Sequence, residues 1–340
     1  MEKITIRNFG PITEAEIIIK DINVFIGTTS SGKSTAAKLI AIFQSAPALR
    51  EKMNPEEFTY LLAEYNIDFA ITKDTKIFYQ RGDESFELSN NNIRNNFISH
   101  TPHSNLPIYV PAERVFFATI SQSIFGLISG NISLPKWLID FGARFEQARS
   151  SLKNFSVDFL QAKYEYNDRT DFVQLQNEVK IRLAQASSGL QSVIPMILVI
   201  AYNTDNKKSL RELFVIEEPE LNLYPLSQKE LMEFIIQRIN LEQDRLIITT
   251  HSPYLLTTLD NLIQAKTIAD QKPFLRNEIS ALVPAASWLA FERISCYYFN
   301  EGSCRSTLDP EISSIGPSNI DDVSVALSQT FETLLSLKYS

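Results

Sequence analysis

The amino-acid sequence predicts an α/β fold built around a parallel β-sheet. Three observations support this prediction. The apolar run INVFI is followed by a glycine-rich loop and then by STAAKLIAIFQSA, which has apolar residues at helical spacing. Further along, RELFVIEEPE and DRLIITTHS are strand-like apolar runs that end in polar residues. Each is followed by a helical segment, SQKELMEFIIQRIN or PYLLTTLDNLIQA, and strands that alternate with helices are typical of a parallel sheet.

The first strands are expected at KITIRNF and AEIIIKD, which are rich in β-branched residues and are separated by Gly10-Pro11. The segment EKMNPEEFTYLLAEYNIDF is expected to be helical. We predict a hairpin around Gly82-Asp83, formed by TKIFYQRG and ESFELSN, and a loop over NNNIRNNFISHTPHSN. LPIYVPAER is predicted to be a short buried strand that ends at Pro111.

The middle of the chain, residues 116–185, is mostly helical in pattern, most clearly in IDFGARFEQARSSLKNF and SVDFLQAKYEY, before a strand pair at DFVQLQ and VKIRLAQ. The second half adds a buried helix, LQSVIPMILVIAY, a strand, ISCYYFNEG, and a final helix, VSVALSQTFETLLSL. We therefore predict a core formed by residues 1–45 and 185–340. An inserted lobe over 46–184 is expected to be mostly helical with a small β portion.

The composition is that of a globular protein, with 340 residues, of which 44% are apolar and 21% charged. No apolar run reaches the roughly 18 residues that span a bilayer, and the first residues lack the layout of a secretory signal. We therefore expect a cytoplasmic protein without membrane contact. Cys296 and Cys304 are expected to be free thiols. The net charge of −8 argues against nucleic acid as the main ligand.

The glycine-rich loop GTTSSGKST has the spacing of a phosphate-binding loop, G-x-x-x-x-G-K-[ST]. Gly27 and Gly32 allow backbone N–H groups to approach a polyphosphate at the amino end of the following helix. Lys33 is expected to reach the β- and γ-phosphates, and the Ser34 hydroxyl to ligate Mg²⁺. The residues expected to bind the nucleotide here are Gly27, Thr28, Thr29, Ser30, Ser31, Gly32, Lys33, Ser34 and Thr35.

Acidic and polar residues follow two of the predicted strands. Glu217 and Glu218 come after LFVI, at the strand end where parallel sheets bind their ligands, and adjacent strand residues point to opposite faces. One carboxylate can therefore hold the Mg²⁺ shell while the other faces the attacking water. His251 follows LIITT and can approach a γ-phosphate or that water. A Ser-Gly pair at 188–189 opens a helix, and this second anion-binding end has an obvious use only across a dimer.

Four motifs, GTTSSGKST, SSGLQ, EEPELNLYP and TTHSP, occur in the order found in ABC-type ATPases. The sequence most closely resembles their SMC/RecF/OLD-like branch. Within it, the chain is similar to small bacterial AAA family ATP-binding proteins, which are often found in phage-defence or toxin–antitoxin operons. The segments ITIRNFGPI and YVPAER resemble recurring segments of that branch. The resemblance implies an ABC-type ATPase head, in which a mixed β-sheet core with a parallel phosphate-loop sheet carries an inserted helical lobe.

The resemblance also implies a role for each matching residue. Lys33 and Ser34 would be the Walker A lysine and the metal-binding hydroxyl. Glu217 would be the Walker B acid and metal ligand, Glu218 the catalytic glutamate and His251 the switch histidine. The remaining matches are Ser188, Gly189 and Gln191 in the signature motif, Asn8 and Phe9 near the adenine and ribose, and Glu220, Asn222 and Leu223 in the D-loop that reaches the dimer seam.

Three departures from the family pattern matter. Ser30 stands where most ABC-type loops have glycine, and Tyr224 replaces the usual histidine of the LHP segment. Residues 46–186 are too short for a long coiled-coil arm, which argues against a chromosome-tethering SMC protein. About ninety residues follow His251, without the acidic cluster of a fused nuclease. Gln122 is the nearest candidate for the Q-loop glutamine.

The leading hypothesis is an ATP-hydrolysing homodimer, or higher homo-oligomer, in which two subunits sandwich two ATP–Mg²⁺. It would act as a sensor, regulator or scaffold for a separate effector protein, a nuclease or toxin, in bacterial anti-phage defence. The alternatives are a RecF/SMC-like DNA-repair ATPase that binds DNA directly, an ATP-bound scaffold without turnover, and a transporter ATPase. DNA-stimulated activity that falls steeply with salt would support the first alternative. Glu218 argues against the second, and the signature segment differs from the transporter pattern.

Overall fold

The fold is described from a computed structural model of the chain, over residues 1–45, 53–97, 107–120, 134–205, 211–316 and 320–339. The strands in these residues are β1 (Glu2–Phe9), β2 (Ile12–Ile19), β3 (Ile22–Gly27), β4 (Lys76–Arg81), β5 (Glu84–Ser89), β6 (Asn92–Asn95), β7 (Ile108–Val110), β8 (Asn154–Val157), β9 (Ala162–Asn167), β10 (Thr170–Gln174), β11 (Lys180–Arg182), β12 (Leu213–Glu217), β13 (Arg245–Thr250), β14 (Ile294–Asn300), β15 (Ser303–Ser306), β16 (Leu308–Asp309) and β17 (Ser314–Ile315).

The helices of the same residues include each long helix that the sequence pattern predicts around the phosphate loop and the strand ends. Of the helices within the described ranges, none is long and apolar enough to cross a membrane. The helices are α1 (Lys33–Gln44), α2 (Pro55–Glu64), α3 (Val115–Ile120), α4 (Lys136–Ser151), α5 (Ser188–Asp205), α6 (Pro225–Glu242), α7 (Pro253–Gln271), α8 (Arg276–Leu282) and α9 (Ile320–Tyr339).

One large mixed sheet organises the molecule, with the strand order β6-β5-β4-β1-β2-β15-β14-β3-β13-β12-β7. Strands β14, β3, β13, β12 and β7 run parallel to one another. Strands β3 and β12 are buried at every residue, as expected where helices cover both faces of a parallel sheet. The predicted α/β fold with a mixed core is confirmed. The parallel half brings the carboxyl ends of β3, β12 and β13 to one edge.

The other half of the sheet is antiparallel and is joined to α1 by aromatic packing. Strands β1, β2, β4, β5 and β6 form this half. The Phe43 ring in α1 stacks on Tyr79 at 4.8 Å between centroids and packs against Phe86 at 4.9 Å. Phe58 in α2 lies 5.8 Å from Phe43. Helix α2 and strands β4 and β5 therefore pack on α1.

The helical prediction for SVDFLQAKYEY, residues 156–166, is wrong. The end of β8, a short 3-10 turn at Asp158–Leu160 and most of β9 occupy this segment. These strands belong to a separate four-stranded antiparallel sheet in the order β11-β10-β9-β8. Ala162 and Tyr164 are buried while Lys163 between them is exposed, which is the two-residue alternation of a half-buried strand. Gln161 turns the chain with a left-handed φ of 50°.

The expectation of a mostly helical lobe over 46–184 does not describe this part of the chain. Its described residues hold strands β4–β11 as well as helices α2–α4. Strands β4–β6 extend the main sheet beyond β1, and β7 pairs with β12 at the opposite edge. The physical reason is that β1 and β12 would otherwise present unpaired backbone edges. NIRN, expected in a loop, forms β6 and pairs with β5 at the edge of the sheet.

Candidate functional site

The phosphate loop joins β3 to α1, which begins at Lys33 after Gly32 in the left-handed conformation, φ 105°. At the start of the loop, a Cβ on Gly27 would lie 1.9 Å from the carbonyl oxygen of Phe299 in the neighbouring β14. Only glycine therefore fits where the loop leaves the sheet. The loop and the amino end of α1 together present backbone N–H groups to an anion.

Lys33 folds back over this loop. Its Nζ donates to the carbonyls of Gly27 at 3.0 Å and Thr28 at 2.7 Å, and the residue is only 5% exposed. Burial lowers the pKa of Lys33 to about 8, against the opposing effect of the nearby Glu218 and Glu220 carboxylates. The ammonium group is thus held at the loop, where phosphate oxygens would replace the two carbonyls as its acceptors.

The unusual Ser30 adopts a left-handed backbone conformation, with a φ of 59°. Glycine adopts this conformation without the steric cost that a side chain adds, which explains why glycine is common at the position. The following Ser31 supports the turn by donating from Oγ to the Thr28 carbonyl at 2.7 Å. The departure from the family pattern therefore places a side chain at a strained backbone position of the loop.

Asn8 and Phe9, expected near the adenine and ribose, lie at the β1–β2 turn. This turn approaches the loop, because a Cβ on Gly32 would lie 2.6 Å from Ile12. Asn8 is exposed, and its carbonyl accepts from the Thr75 hydroxyl at 2.6 Å. Phe9 is completely buried, so its ring belongs to the core and is not open to a base. Of the two predicted residues, only Asn8 offers a side chain at the surface.

The two acidic and polar strand ends meet the phosphate loop at one edge of the sheet. Strands β12, β13 and β3 are in parallel register, with Glu217 opposite Thr249 and Thr250 opposite Ile26. Their carboxyl ends therefore point the same way. This places the loop, the two glutamates after β12 and His251 after β13 along one edge, as the sequence motifs predict.

Glu217 faces the helix that follows the phosphate loop. Tyr109 of β7 pairs with Val215, so the two side chains and that of Glu217 share one face of the sheet. Lys38 of α1 lies 5.8 Å from the Tyr109 ring centroid, which identifies this face as the α1 face. Burial and the Glu217 carboxylate raise the pKa of Tyr109 well above its usual value. The Glu217 carboxylate and the hydroxyl of Ser34 are the hard oxygen donors that suit Mg²⁺.

Glu218 and His251 form an accessible pair. Glu218 Oε1 lies 3.7 Å from His251 Nε2, and the two side chains are 32% and 37% exposed. The Glu218 backbone is left-handed, with a φ of 42°, and its N–H donates to the Thr249 carbonyl at 2.8 Å. A carboxylate with this exposure beside an imidazole can accept a proton from a water molecule at the edge of the sheet.

Glu220, expected at the dimer seam, instead supports His251 from inside the molecule. It is 9% exposed, and its Oε1 accepts from the Thr250 hydroxyl at 2.6 Å and from the His251 N–H at 2.8 Å. Asn222, two residues on, is exposed and left-handed. The side chain of Glu220 therefore fixes the backbone at His251, the predicted switch histidine.

The signature segment begins α5. Ser188 is exposed at the first residue of the helix, whereas Gly189 is buried and a Cβ there would lie 2.9 Å from the Asn222 carbonyl oxygen. Gln191 Nε2 donates to the carbonyls of Ala184 and Ala186, at 3.1 and 2.9 Å. Gln191 thus holds the preceding turn in place, and Ser188 is the predicted signature residue whose side chain faces solvent. Gln122, the Q-loop candidate, lies outside the described residues.

Arg114 is a part of this site to which the motif analysis assigned no role. It is completely buried between β7, α5 and the end of β12. Burial lowers the pKa of Arg114 to about 10, while the carboxylates of Glu220, Glu218 and Glu217 act in the opposite direction. The only available signal was YVPAER as a recurring segment, because four of the five hydrogen-bond partners of Arg114 lie more than 70 residues away in the sequence.

A P-loop ATPase site is defined by three features that occur here. They are a phosphate loop with a buried lysine, two consecutive glutamates at the end of a nearby strand, and a histidine at the end of the strand between them. The family comparison agrees. The profile of the AAA ATPase domain family matches residues 1–124 and 133–256. The chain belongs to this family and is an ATPase. The predicted resemblance to AAA family ATP-binding proteins is thereby confirmed at the level of the family.

Solved structures give further similarities, while a search of curated protein sequences gives no match. The SMC head domain from Thermotoga maritima is 11% identical at a TM-score of 0.45, covering 89% of this chain and 97% of that one. An Smc head domain with an extended coiled coil, bound to the C-terminal domain of ScpA from Pyrococcus furiosus, is 10% identical at 0.43, with coverages of 99% and 100%. The recombination mediator RecF is 11% identical at 0.41, with coverages of 89% and 97%. Similarity at this level assigns neither a partner nor a substrate.

Proposed function

We propose that this ATPase works as a homodimer in which two chains enclose two ATP–Mg²⁺, and that the dimer signals to a separate effector protein. One observation carries the proposal: large apolar side chains are exposed beside the catalytic edge. Tyr224 is 78% exposed, Leu226 58% and Tyr254 52%. Tyr224 and Leu226 directly follow the D-loop, and Tyr254 follows His251. Exposed aromatic and apolar residues next to a site are typical of an interface.

The exposed Ser188 is a second feature that supports a dimer. It lies at the amino end of α5, which has 18 residues, and an anion is stabilised at such an end. The first turn of α5 packs on the D-loop of its own chain through Gly189 and Asn222. The Ser188 end therefore lies beside the segment that is followed by the exposed Tyr224 and Leu226. A second copy related by a two-fold axis would place each Ser188 at the phosphate loop of the other chain.

Each side chain at the edge has a distinct part in hydrolysis. Lys33 binds the β- and γ-phosphate oxygens, and its positive charge offsets the charge of the transferred group. Ser34 and Glu217 would hold Mg²⁺, which neutralises phosphate charge when bound. Glu218 orients the attacking water and accepts its proton, and His251 contacts the γ-phosphate or that water. Binding ATP closes the dimer, and hydrolysis releases it.

The effector is a separate nuclease or toxin, and the setting is bacterial anti-phage defence. The resemblance to small AAA family proteins of defence operons supports this part of the proposal. In this account the dimer is a sensor or scaffold, and the effector responds to its closed or open form. The alternative, direct DNA binding as in DNA-repair ATPases, predicts an ATPase rate that duplex DNA raises and that salt lowers steeply.

The Glu218→Gln variant tests the dimer. Because it retains Lys33 but lacks the carboxylate that accepts the proton of water, it is expected to bind ATP and accumulate as a dimer. The measurement is molar mass by size-exclusion chromatography with light scattering, with and without ATP–Mg²⁺. Lys33→Ala is the control, and it is expected to stay monomeric at the same ATP concentration. A Glu218→Gln protein that binds ATP and remains monomeric contradicts the proposal.

A further inference from the structure

Every donor of the buried Arg114 side chain is directed at a backbone carbonyl. A guanidinium group has five N–H donors, and this one makes five hydrogen bonds. The acceptors belong to three different segments, the end of β7, the first part of α5 and the end of β12. They are the carbonyls of Ser192 at 3.1 Å, Pro111 at 2.9 Å, Glu217 at 2.7 Å, Glu218 at 2.7 Å and Pro219 at 3.3 Å.

Such an arginine is costly as a purely structural element. A buried charge is destabilising unless its hydrogen bonds and counter-charges compensate for lost hydration, and an apolar side chain could fill the same volume. Arg149, the other buried arginine among the described residues, has an ordinary partner, since its Nη1 donates to the Asp171 carboxylate at 2.9 Å. Within the described part of the chain, the hydrogen-bond acceptors of Arg114 are all carbonyls. The hydrogen bonds of Arg114 therefore fix the positions of those three backbone segments relative to one another.

The segment that Arg114 holds includes the catalytic glutamate. Glu218 has a left-handed backbone with a φ of 42°, a conformation that is strained for a non-glycine residue. Arg114 binds the carbonyl before it, its own carbonyl and the one after it. Three consecutive carbonyls bound to one rigid, planar group fix the orientation of the peptides on both sides of Glu218. The direction of its side chain depends on that orientation.

The fifth hydrogen bond reaches α5 at a weak point of the helix. Pro195 lies inside α5 and has no N–H to donate to the Gln191 carbonyl one turn earlier. The first turn, which carries the signature segment, is therefore joined to the rest of α5 by one hydrogen bond fewer. Arg114 contacts the Ser192 carbonyl at this joint. Gly189 in the same turn packs against the Asn222 carbonyl, just beyond Glu218.

We propose that Arg114 is a positioning residue that couples the first turn of α5 to Glu218. The inference rests on the proposed ATP sandwich. When SSGLQ of one subunit closes on the nucleotide of its partner, the first turn of α5 moves at the Pro195 joint, and Arg114 passes this movement to Glu218 of its own subunit. Each site then reaches its full rate only when the other is occupied, and a single occupied site keeps a residual rate above background. The two sites of the dimer hydrolyse ATP cooperatively.

The Arg114→Lys variant tests this coupling, because lysine keeps the positive charge but replaces the planar five-donor group with a single ammonium. The wild-type rate is expected to rise sigmoidally with ATP concentration. In Arg114→Lys, kcat is expected to fall about tenfold to a hundredfold, KM to stay within about twofold, and the Hill coefficient to drop to about 1. Arg149→Lys is the matched control and is expected to keep the wild-type kcat and Hill coefficient, even if its melting temperature falls.

Two results overturn the coupling. One is an Arg114→Lys enzyme with wild-type kcat and Hill coefficient, and the other is an equal loss of kcat in Arg149→Lys. Failure of the ATP sandwich can be distinguished from failure of the coupling. If Glu218→Gln stays monomeric with ATP, both proposals are overturned. If Glu218→Gln dimerises and Arg114→Lys behaves as wild type, only the coupling fails.

A measurement on the wild-type protein covers the case in which Arg114→Lys does not fold. Hydrogen exchange of the segments 188–196 and 214–222 is followed as ATP–Mg²⁺ is added. The coupling predicts that both segments gain protection with the same midpoint in ATP concentration, because Arg114 links them. Different midpoints for the two segments overturn it. The four-stranded sheet around Asp171 serves as the reference segment, whose exchange is expected to remain unchanged.

Discussion

At Lys33, burial and neighbouring charge act on the same ammonium group in opposite directions. Burial has the larger effect and lowers the pKa to about 8, so the free protein begins to lose this proton just above neutral pH. Phosphate binding requires the charged form. A site that is occupied by ATP must therefore take up a proton whenever the free lysine is neutral.

We predict that ATP affinity falls as pH rises above about 8. The fall approaches about tenfold per pH unit, because one proton is taken up on binding. Lys33→Arg is the control, since an arginine stays charged over this range, and its weaker affinity is expected to be independent of pH. The measurement is the dissociation constant between pH 7.5 and pH 9.5. A wild-type dissociation constant that is the same at both ends would show that Lys33 does not titrate in the free site.

Several residues around the nucleotide edge hold left-handed backbones without being glycine. Ser30, Glu218 and Asn222 have φ values of 59°, 42° and 62°. Each costs roughly 1–2 kcal/mol, and strain of this kind is retained where the surrounding structure enforces it. The Arg114 hydrogen bonds are the enforcing contacts at Glu218. The departure of Ser30 from the usual glycine belongs to the same group of strained positions.

Among the elements, strands β12 and β13 carry functional residues at their carboxyl ends and buried acidic residues at their amino ends. Their carboxyl ends carry the catalytic edge, while their amino ends hold two buried acids, Glu212 and Asp244, which are 4% and 2% exposed. The Glu212 N–H donates to Asp244 Oδ1 at 2.7 Å. Burial is the largest effect on Asp244 and raises its pKa to about 6, and the Glu212 and Glu242 carboxylates act in the same direction.

We predict that Asp244→Asn stabilises the protein near neutral pH and has little effect near pH 4. The folded pKa lies above the unfolded one, so the folded state binds more protons between about pH 4 and pH 6 and stability is lost as pH rises through that window. Asparagine keeps the Oδ1 acceptor without the charge. The free energy of unfolding is expected to increase by about 1 kcal/mol at pH 7.5.

Thermal unfolding midpoints at pH 4.5 and pH 7.5 measure this difference. Asp83→Asn in the exposed β4–β5 turn is the control and is expected to change neither midpoint. A midpoint for Asp244→Asn that equals the wild-type value at pH 7.5 would contradict the assigned cost of burying this carboxylate.

The elements that could be predicted from sequence are those whose signal is local. The phosphate loop, EEPE and TTHSP combine a strand pattern with polar residues a few positions away, and all three lie at one edge of the sheet. The segment over 156–166 could not be predicted, because its buried and exposed residues also fit a short helix until pairing with β10 is known. Arg114 and Glu220 were missed as supporting residues because their partners are distant in the chain.

On the scale of the whole molecule, each chain carries the sequence motifs of an ATPase site, but the predicted signature residue and several apolar side chains face solvent. The phosphate loop and Glu218 face one edge, and the exposed Ser188 and the apolar Tyr224 and Tyr254 face solvent beside it. In the proposed dimer, a complete site combines the phosphate loop of one chain with the signature segment of another. Two differently damaged chains are therefore expected to complement each other.

Mixing two inactive variants tests whether the site is shared between two chains. Lys33→Ala removes the phosphate contact, and Ser188→Arg blocks the signature segment, so each homodimer has two defective sites. A mixed dimer has one intact site, made of the Ser188→Arg phosphate loop and the Lys33→Ala signature segment. With equal amounts and random pairing, the ATPase rate is expected to rise from background to about a quarter of the wild-type rate, or less where the two sites are coupled. A mixture that stays at the background of the separate variants would contradict the shared site.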